Sequence, residues 1–194
     1  RPLFQWMPLL LIFLGSTISM RMWSEERRSG ALEHMLTLPV STWLFVLGKF
    51  RACFTLLLMA LVATAPLPIT VALIADLDWG PVIAAYLGTA LLGGMYLSIG
   101  LYISAKTDNS ITSLIGSIAL SVAIYLLGSD LITSLFDSDI AETLRHLGSG
   151  SRFERITRGI FTFADLFYFF SISCGFLALN VSALEQQRWA KGTS

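Results

Sequence analysis

The residues equipped for chemistry are few, and they are clustered. Trp23 to Val40 reads Trp-Ser-Glu-Glu-Arg-Arg-Ser-Gly-Ala-Leu-Glu-His-Met-Leu-Thr-Leu-Pro-Val. It is the densest charged patch in a chain that is 55% hydrophobic and only 13% charged. Glu25, Glu26, Arg27, Arg28 and Glu33 are suited to ion pairing rather than to making bonds. A second set is hydroxylic: Ser113, Ser117 and Ser121 recur every four residues, so a helix puts them on one face. It reads either as a polar path for a substrate or as helix-packing glue. A third set is cationic. Arg152, Arg155 and Arg158 fall at i, i+3 and i+6, broadly on one side of a helix. They could meet anionic headgroups, a partner protein or an acidic substrate, or else pair with the six acidic residues of their own segment. No phosphate-binding GxxxxGK[ST], HExxH or nucleophile motif is present, so no catalytic residue is expected. Cys53 and Cys174 lie in apolar runs without CxxC or Cys/His spacing, which reads as buried small hydrophobes and not as a disulfide or metal site. The formal charge is zero, so no basic field draws nucleic acid.

The elements that position these groups are membrane spans. A soluble domain carries about a quarter charged residues, and a bilayer core takes about 20 apolar ones per helix. Five runs fit: 3–20, 52–75, 82–105, 111–128 and 166–184. The fold class is therefore all-α, a polytopic membrane helix bundle in a single domain over 1–194. Trp6 and Trp79 are placed for interface belts. Pro66 and Pro68 kink or unwind the second span. Gly94 and Ser98, and the stripe Ser171, Gly175, Ala178 and Ser182, offer small-residue packing surfaces. Between the last two spans, 129–165 is a charged interruption whose apolar pieces are too short to cross. Lys49 and Arg51 cannot sit in mid-bilayer and should snorkel to the face of Arg27 and Arg28.

The charged patch 23–38 lies between the first two of these spans. Leu32, Met35 and Leu36 recur at i, i+3 and i+4, the spacing of one helical face, and Pro39 stops the helix near Leu38. An amphipathic helix at the membrane face follows. It reads either as a solvated connector with a greasy underside or as a docking element.

Glu-Glu-Arg-Arg-x-Gly-x-Leu-Glu followed by Leu-x-Leu-Pro-Val, with Val46-Leu47-Gly48-Lys49-Phe50 beyond, resembles the signature of type-2 ABC exporter permeases, most of all the gliding-motility-associated branch. Ala31 stands where that family usually has Thr, and His34-Met35 where it often has Leu-Leu. The resemblance implies that this segment is the coupling helix, which docks into a cytoplasmic ABC ATPase subunit. The implied coupling residues are Glu25, Glu26, Arg27, Arg28, Gly30, Leu32, Glu33, Leu36 and Pro39, together with Val40. It further implies that ATP and Mg are bound by the partner and not by this chain, and that a second permease copy, identical or related, completes a dimer. An elbow segment and a further helix upstream would bring the spans to six. By the same resemblance, 129–165 forms short external or re-entrant helices, with Arg152, Arg155 and Arg158 as candidate contacts there and Ser113, Ser117 and Ser121 as candidates for the path.

Counting Lys and Arg by face gives eight on the side of Arg28 and five on the other. The bias places Arg28 and Lys106 in the cytoplasm, and Trp79 and Arg155 outside. His34 and His146 then fall on opposite faces and cannot share a site. A multi-pass protein of the bacterial inner membrane, in contact with lipid, is the expected setting. Two functions remain open: an exporter permease, or a membrane scaffold or enzyme with its site in 129–165. The spans offer no buried ion-binding carboxylate, which leaves lipids, lipid-linked glycans, lipoproteins, peptides and drugs as substrate classes.

Overall fold

The computed structural model describes residues 6–74, 78–135 and 138–191. The first residues of the first expected span, part of the acidic turn at 76–77, positions 136–137 and the side chain of Leu36 lie outside the described residues, as do the side chains of Asp130 and Arg188. Helices are the regular secondary structure of the described residues, with no strand among them.

Among the described residues, four helical stretches are long and apolar enough to cross a membrane: Met7–Ser29, Thr42–Ile74, Trp79–Lys106 and Phe163–Gln187. The fifth expected span is a shorter apolar helix, Ser110–Leu126, of 17 residues. In chain order the elements are α1 (Met7–Ser19), α2 (Ser24–Ser29), α3 (Ala31–Thr37), α4 (Thr42–Thr64), α5 (Pro66–Ile74), α6 (Trp79–Lys106), α7 (Ser110–Leu126), α8 (Asp130–Thr133), α9 (Ser138–Leu147), α10 (Ser149–Thr157) and α11 (Phe163–Lys191).

Helix α6 is the centre. Every residue from Leu92 to Leu101 is buried, the mark of a helix apolar all round and enclosed by others. It packs against α1, α4, α7, α10 and α11. Small residues let the backbones close in. A Cβ added at Gly100 would lie 1.9 Å from Ser19 Oγ, and one at Gly93 would lie 2.8 Å from the Leu57 methyls. The starts of α6 and α7 are set by short polar caps. Asp78 Oδ1 accepts from Gly80 N–H at its start, and Asn109 Oδ1 accepts from Ile111 N–H to open α7.

Two expected helices are broken, each for a local reason. The 23–38 segment is not one helix but two. Gly30 takes φ 75°, ψ 0°, ending α2 and beginning α3 in the left-handed region that glycine enters freely. The second span starts earlier than expected, at Thr42, and divides at Ala65. Ala65 N–H bonds back to Val62 O, tightening the last turn of α4, and Pro66 opens α5 where a missing N–H costs little. Helix α5 buries none of its side chains inside the chain, and Leu73 and Ile74 are strongly exposed.

The 129–165 interruption packs onto the bundle instead of standing apart from it. Helix α10 runs antiparallel to α6: Ser149 Oγ pairs with Tyr96 OH at 3.1 Å, and Ile156 lies against Gly88. Gly148 meets the backbone of Gly128 so closely that a Cβ there would lie 2.2 Å from Gly128 N. Helix α10 thus follows the short α7 and covers the upper part of α6.

Candidate functional site

At the Arg28 end of the bundle, α2 is bound to the spans through its inner side. Ser104 on α6 accepts from the backbone N–H groups of Trp23 and Ser24 at 3.1 and 3.2 Å, and its hydroxyl donates to Met20 O at 3.0 Å. Ser24 and Ser110 share a hydroxyl contact of 3.0 Å. Glu26 Oε1 holds Lys49 Nζ of α4 at 2.5 Å. Lys49 also donates to Met22 O and lies 4.3 Å from the centroid of the buried Trp23 ring. Arg27 donates to Ala105 O at 2.8 Å and pairs with Asp108 at 2.6 Å in the turn after α6. Gln187 of α11 reaches the same Ala105 carbonyl at 3.3 Å. Four segments of the chain converge on one polar knot.

The expected coupling residues therefore separate into two groups. Glu26 and Arg27 face inward and bond within the chain. Glu25 and Arg28 are exposed, Glu25 with a loose Arg21 contact at 3.4 Å. Beyond Gly30, α3 sends Leu32 into the core and presents Ala31, Glu33, His34 and Thr37 outward, followed by exposed Leu38, Pro39 and Val40. A shallow, open groove runs along Glu26, Gly30, Glu33, His34 and Met35. Of the four charged residues at 25–28, two are exposed and the other two bond within the chain.

The serine stripe is buried. Ser113, Ser117 and Ser121 have no exposed surface; Ser117 Oγ donates to Ser113 O at 2.7 Å, and the hydroxyls of Ser113 and Ser121 find no protein partner. Within one chain the stripe faces the interior of the bundle, where small residues let helices approach. The arginine trio pairs internally. Arg152 and Arg155 meet Asp165 Oδ1 at 2.8 and 3.0 Å, and Arg158 meets Glu154 at 2.5 Å. Arg152 also donates to His146 O at 2.7 Å and lies 4.4 Å from the Tyr168 ring centroid.

Reading the sequence missed the partners. Lys49 is expected on the face of Arg27 and Arg28, and the opposite charges of Glu26 and Lys49, and of Arg27 and Asp108, are the signal the sequence carries. Nothing in the spacing identified Ser104, the Ala105 carbonyl or the double use of Asp165. Asn180, a lone amide in the apolar run of α11, is fully buried with neither amide atom partnered. Its isolation among hydrophobic residues was the signal.

An all-helical bundle with several membrane-length helices and a pinned, broken connector at one end defines a multi-pass membrane protein. The family follows from sequence comparison. The family model described as ABC-2 family transporter protein matches residues 4–138, well over half of the chain, and the chain belongs to that family. It is a permease component of an ABC transporter, the membrane transport subunit. Permeases of this family generally work with an ATPase subunit. Comparison with curated proteins and with solved structures gives no match.

Proposed function

We propose that this chain is the permease of an ATP-driven exporter of the bacterial inner membrane, and that 24–40 is its coupling segment, with a separate cytoplasmic ATPase holding ATP and Mg. The observation that carries the reading is the division of labour at Gly30. Helix α2 is bound to the spans, whereas α3 and Leu38–Val40 project polar and apolar side chains outward. A connector that only joined two spans would have no use for that separation. The lysine and arginine bias toward this end supports a cytoplasmic position. The Glu-Glu-Arg-Arg-x-Gly motif supports placement in the gliding-motility-associated branch. One copy supplies too few helices to enclose a path for a large amphiphile. The small-residue face of α11, where Ser171, Gly175 and Ser182 are exposed, supports a dimer with an identical or related permease. ATP-driven closure of the ATPase pair would push on α3 and switch access from the cytoplasm or inner leaflet to the outside.

The test is copurification. A tagged chain extracted in mild detergent should bring down an ATP-binding chain. Glu33→Lys on the exposed face of α3 should weaken that association by about tenfold, equivalent to about 1.4 kcal/mol. Absence of any ATP-binding chain from the wild-type preparation would remove the reading.

A further inference from the structure

We infer that Glu26 and Arg27 are positioning residues, the two arms of a strut that carries movement of α3 into α4 and into the α6–α7 turn, and that neither touches the ATPase. This rests on the reading of α3 as the docking face. The arms diverge from neighbouring residues of one short helix. Glu26 grips Lys49, eight residues into α4, in a pair whose side chains are only 29% and 15% exposed. Arg27 grips the last turn of α6 through Ala105 O and the following turn through Asp108. Ser104 adds a third tie, taking two backbone N–H groups of the chain entering α2.

The mechanical consequence follows from stiffness. A short helix bonded on three sides to packed spans cannot turn without turning what holds it. The soft point lies on the other side, at Gly30, where the left-handed joint separates the pinned α2 from the outward α3. A push on α3 therefore reaches α2 across the Gly30 joint and leaves it by two side-chain arms. The knot leaves two of its own polar atoms without a protein partner. Trp23 Nε1 is a buried donor and Glu26 Oε2 a buried acceptor, and both lack a partner here.

The experiment uses the full chain with the ATPase that copurifies with it, reconstituted in vesicles of phosphatidylethanolamine and phosphatidylglycerol. Leu73→Cys and Phe163→Cys carry spin labels at exposed sites on α5 and α11. Cys174→Ala removes the exposed native thiol, and the buried Cys53 stays. ATP with vanadate is the probe, and the readout is the change in distance between the labels. Glu26→Gln and Lys49→Met should keep ATPase association within about twofold of wild type. They should lose at least about half of the nucleotide-dependent distance change, and the exchanged pair Glu26→Lys with Lys49→Glu should restore most of it, as expected of two coupled residues. If Glu26→Gln lowers ATPase association about tenfold and the exchange does not recover it, Glu26 is a docking contact and the strut is wrong. Single variants that keep the full distance change refute the strut as well. Both outcomes leave the docking reading of α3 intact. A wild-type chain that binds no ATPase defeats the docking reading, and the strut with it.

Discussion

Asp165 holds two cations on one carboxylate oxygen and nothing on the other. Its side chain is 1% exposed, Arg152 is 12% exposed, and Oδ2 has no partner. Removing one member of a buried pair leaves the other charge uncompensated, which costs more than the pair itself contributed. Asp165→Asn should therefore destabilise the protein by about 3 kcal/mol, read as a lowered midpoint of thermal unfolding in detergent. Arg158→Ala breaks a pair whose side chains are 65% and 66% exposed, and such pairs contribute about 0.5 kcal/mol or less. Equal losses at the two positions would show that burial does not set the value of these contacts. This contrast was out of reach of the sequence. Arg152, Arg155 and Arg158 look alike by spacing, and only the path of the chain from α10 into α11 decides which of them meets a buried carboxylate.

At the scale of elements, what was legible was what a single residue dictates. Pro66 marks the break in the second span, Gly30 the one position in 23–38 free to take positive φ, and the apolar runs mark the spans. What was not legible depended on a neighbour far along the chain. The amphipathic spacing of 23–38 predicts one helix, because periodicity carries no information about a left-handed joint until the flanking segments are pinned in different directions. The resemblance makes 129–165 external or re-entrant helices, and the sequence does not show the buried face of α10, Phe153 and Ile156, which packs where α6 offers Gly88 opposite. Glycines of equal appearance likewise differ by what stands across from them. A Cβ at Gly100 would meet Ser19 Oγ at 1.9 Å, whereas one at Gly175 would meet nothing within 4 Å. Gly100→Ala should force α1 away from α6 and cost about 1–3 kcal/mol by overpacking. Gly175→Ala should be neutral or slightly stabilising within the chain, since it exchanges a flexible helical residue for a better helix former. Thermal unfolding of the two variants in one detergent separates them. A Gly100→Ala variant as stable as wild type would mean that α1 and α6 are not held as closely as this.

For the whole molecule, the question is which way up the bundle sits. Helices α1, α4–α5, α6, α7 and α11 alternate in direction, so their connections sort into two sets. One set contains α2, α3, the turn at Asp108 and the end of α11; the other contains Trp79, α8, α9 and α10. The polar knot joins only the first set and the span ends beside it, and the Asp165 cluster only the second set and the start of α11. That internal agreement fixes which positions must share a side, and the lysine and arginine bias chooses the side. Cysteines at Arg28 and Lys106 should therefore resist a membrane-impermeant thiol reagent in intact cells and react after permeabilisation. Cysteines at Trp79 and Arg158 should react in intact cells. Arg158 is the better outer probe because its pair with Glu154 is exposed, whereas Arg155 supports Asp165. The background carries Cys174→Ala, since that native thiol is exposed and Cys53 is buried. Labelling at 28 with protection at 158 would invert the bundle, put α3 on the side without ATP, and leave the coupling reading without a partner to couple to.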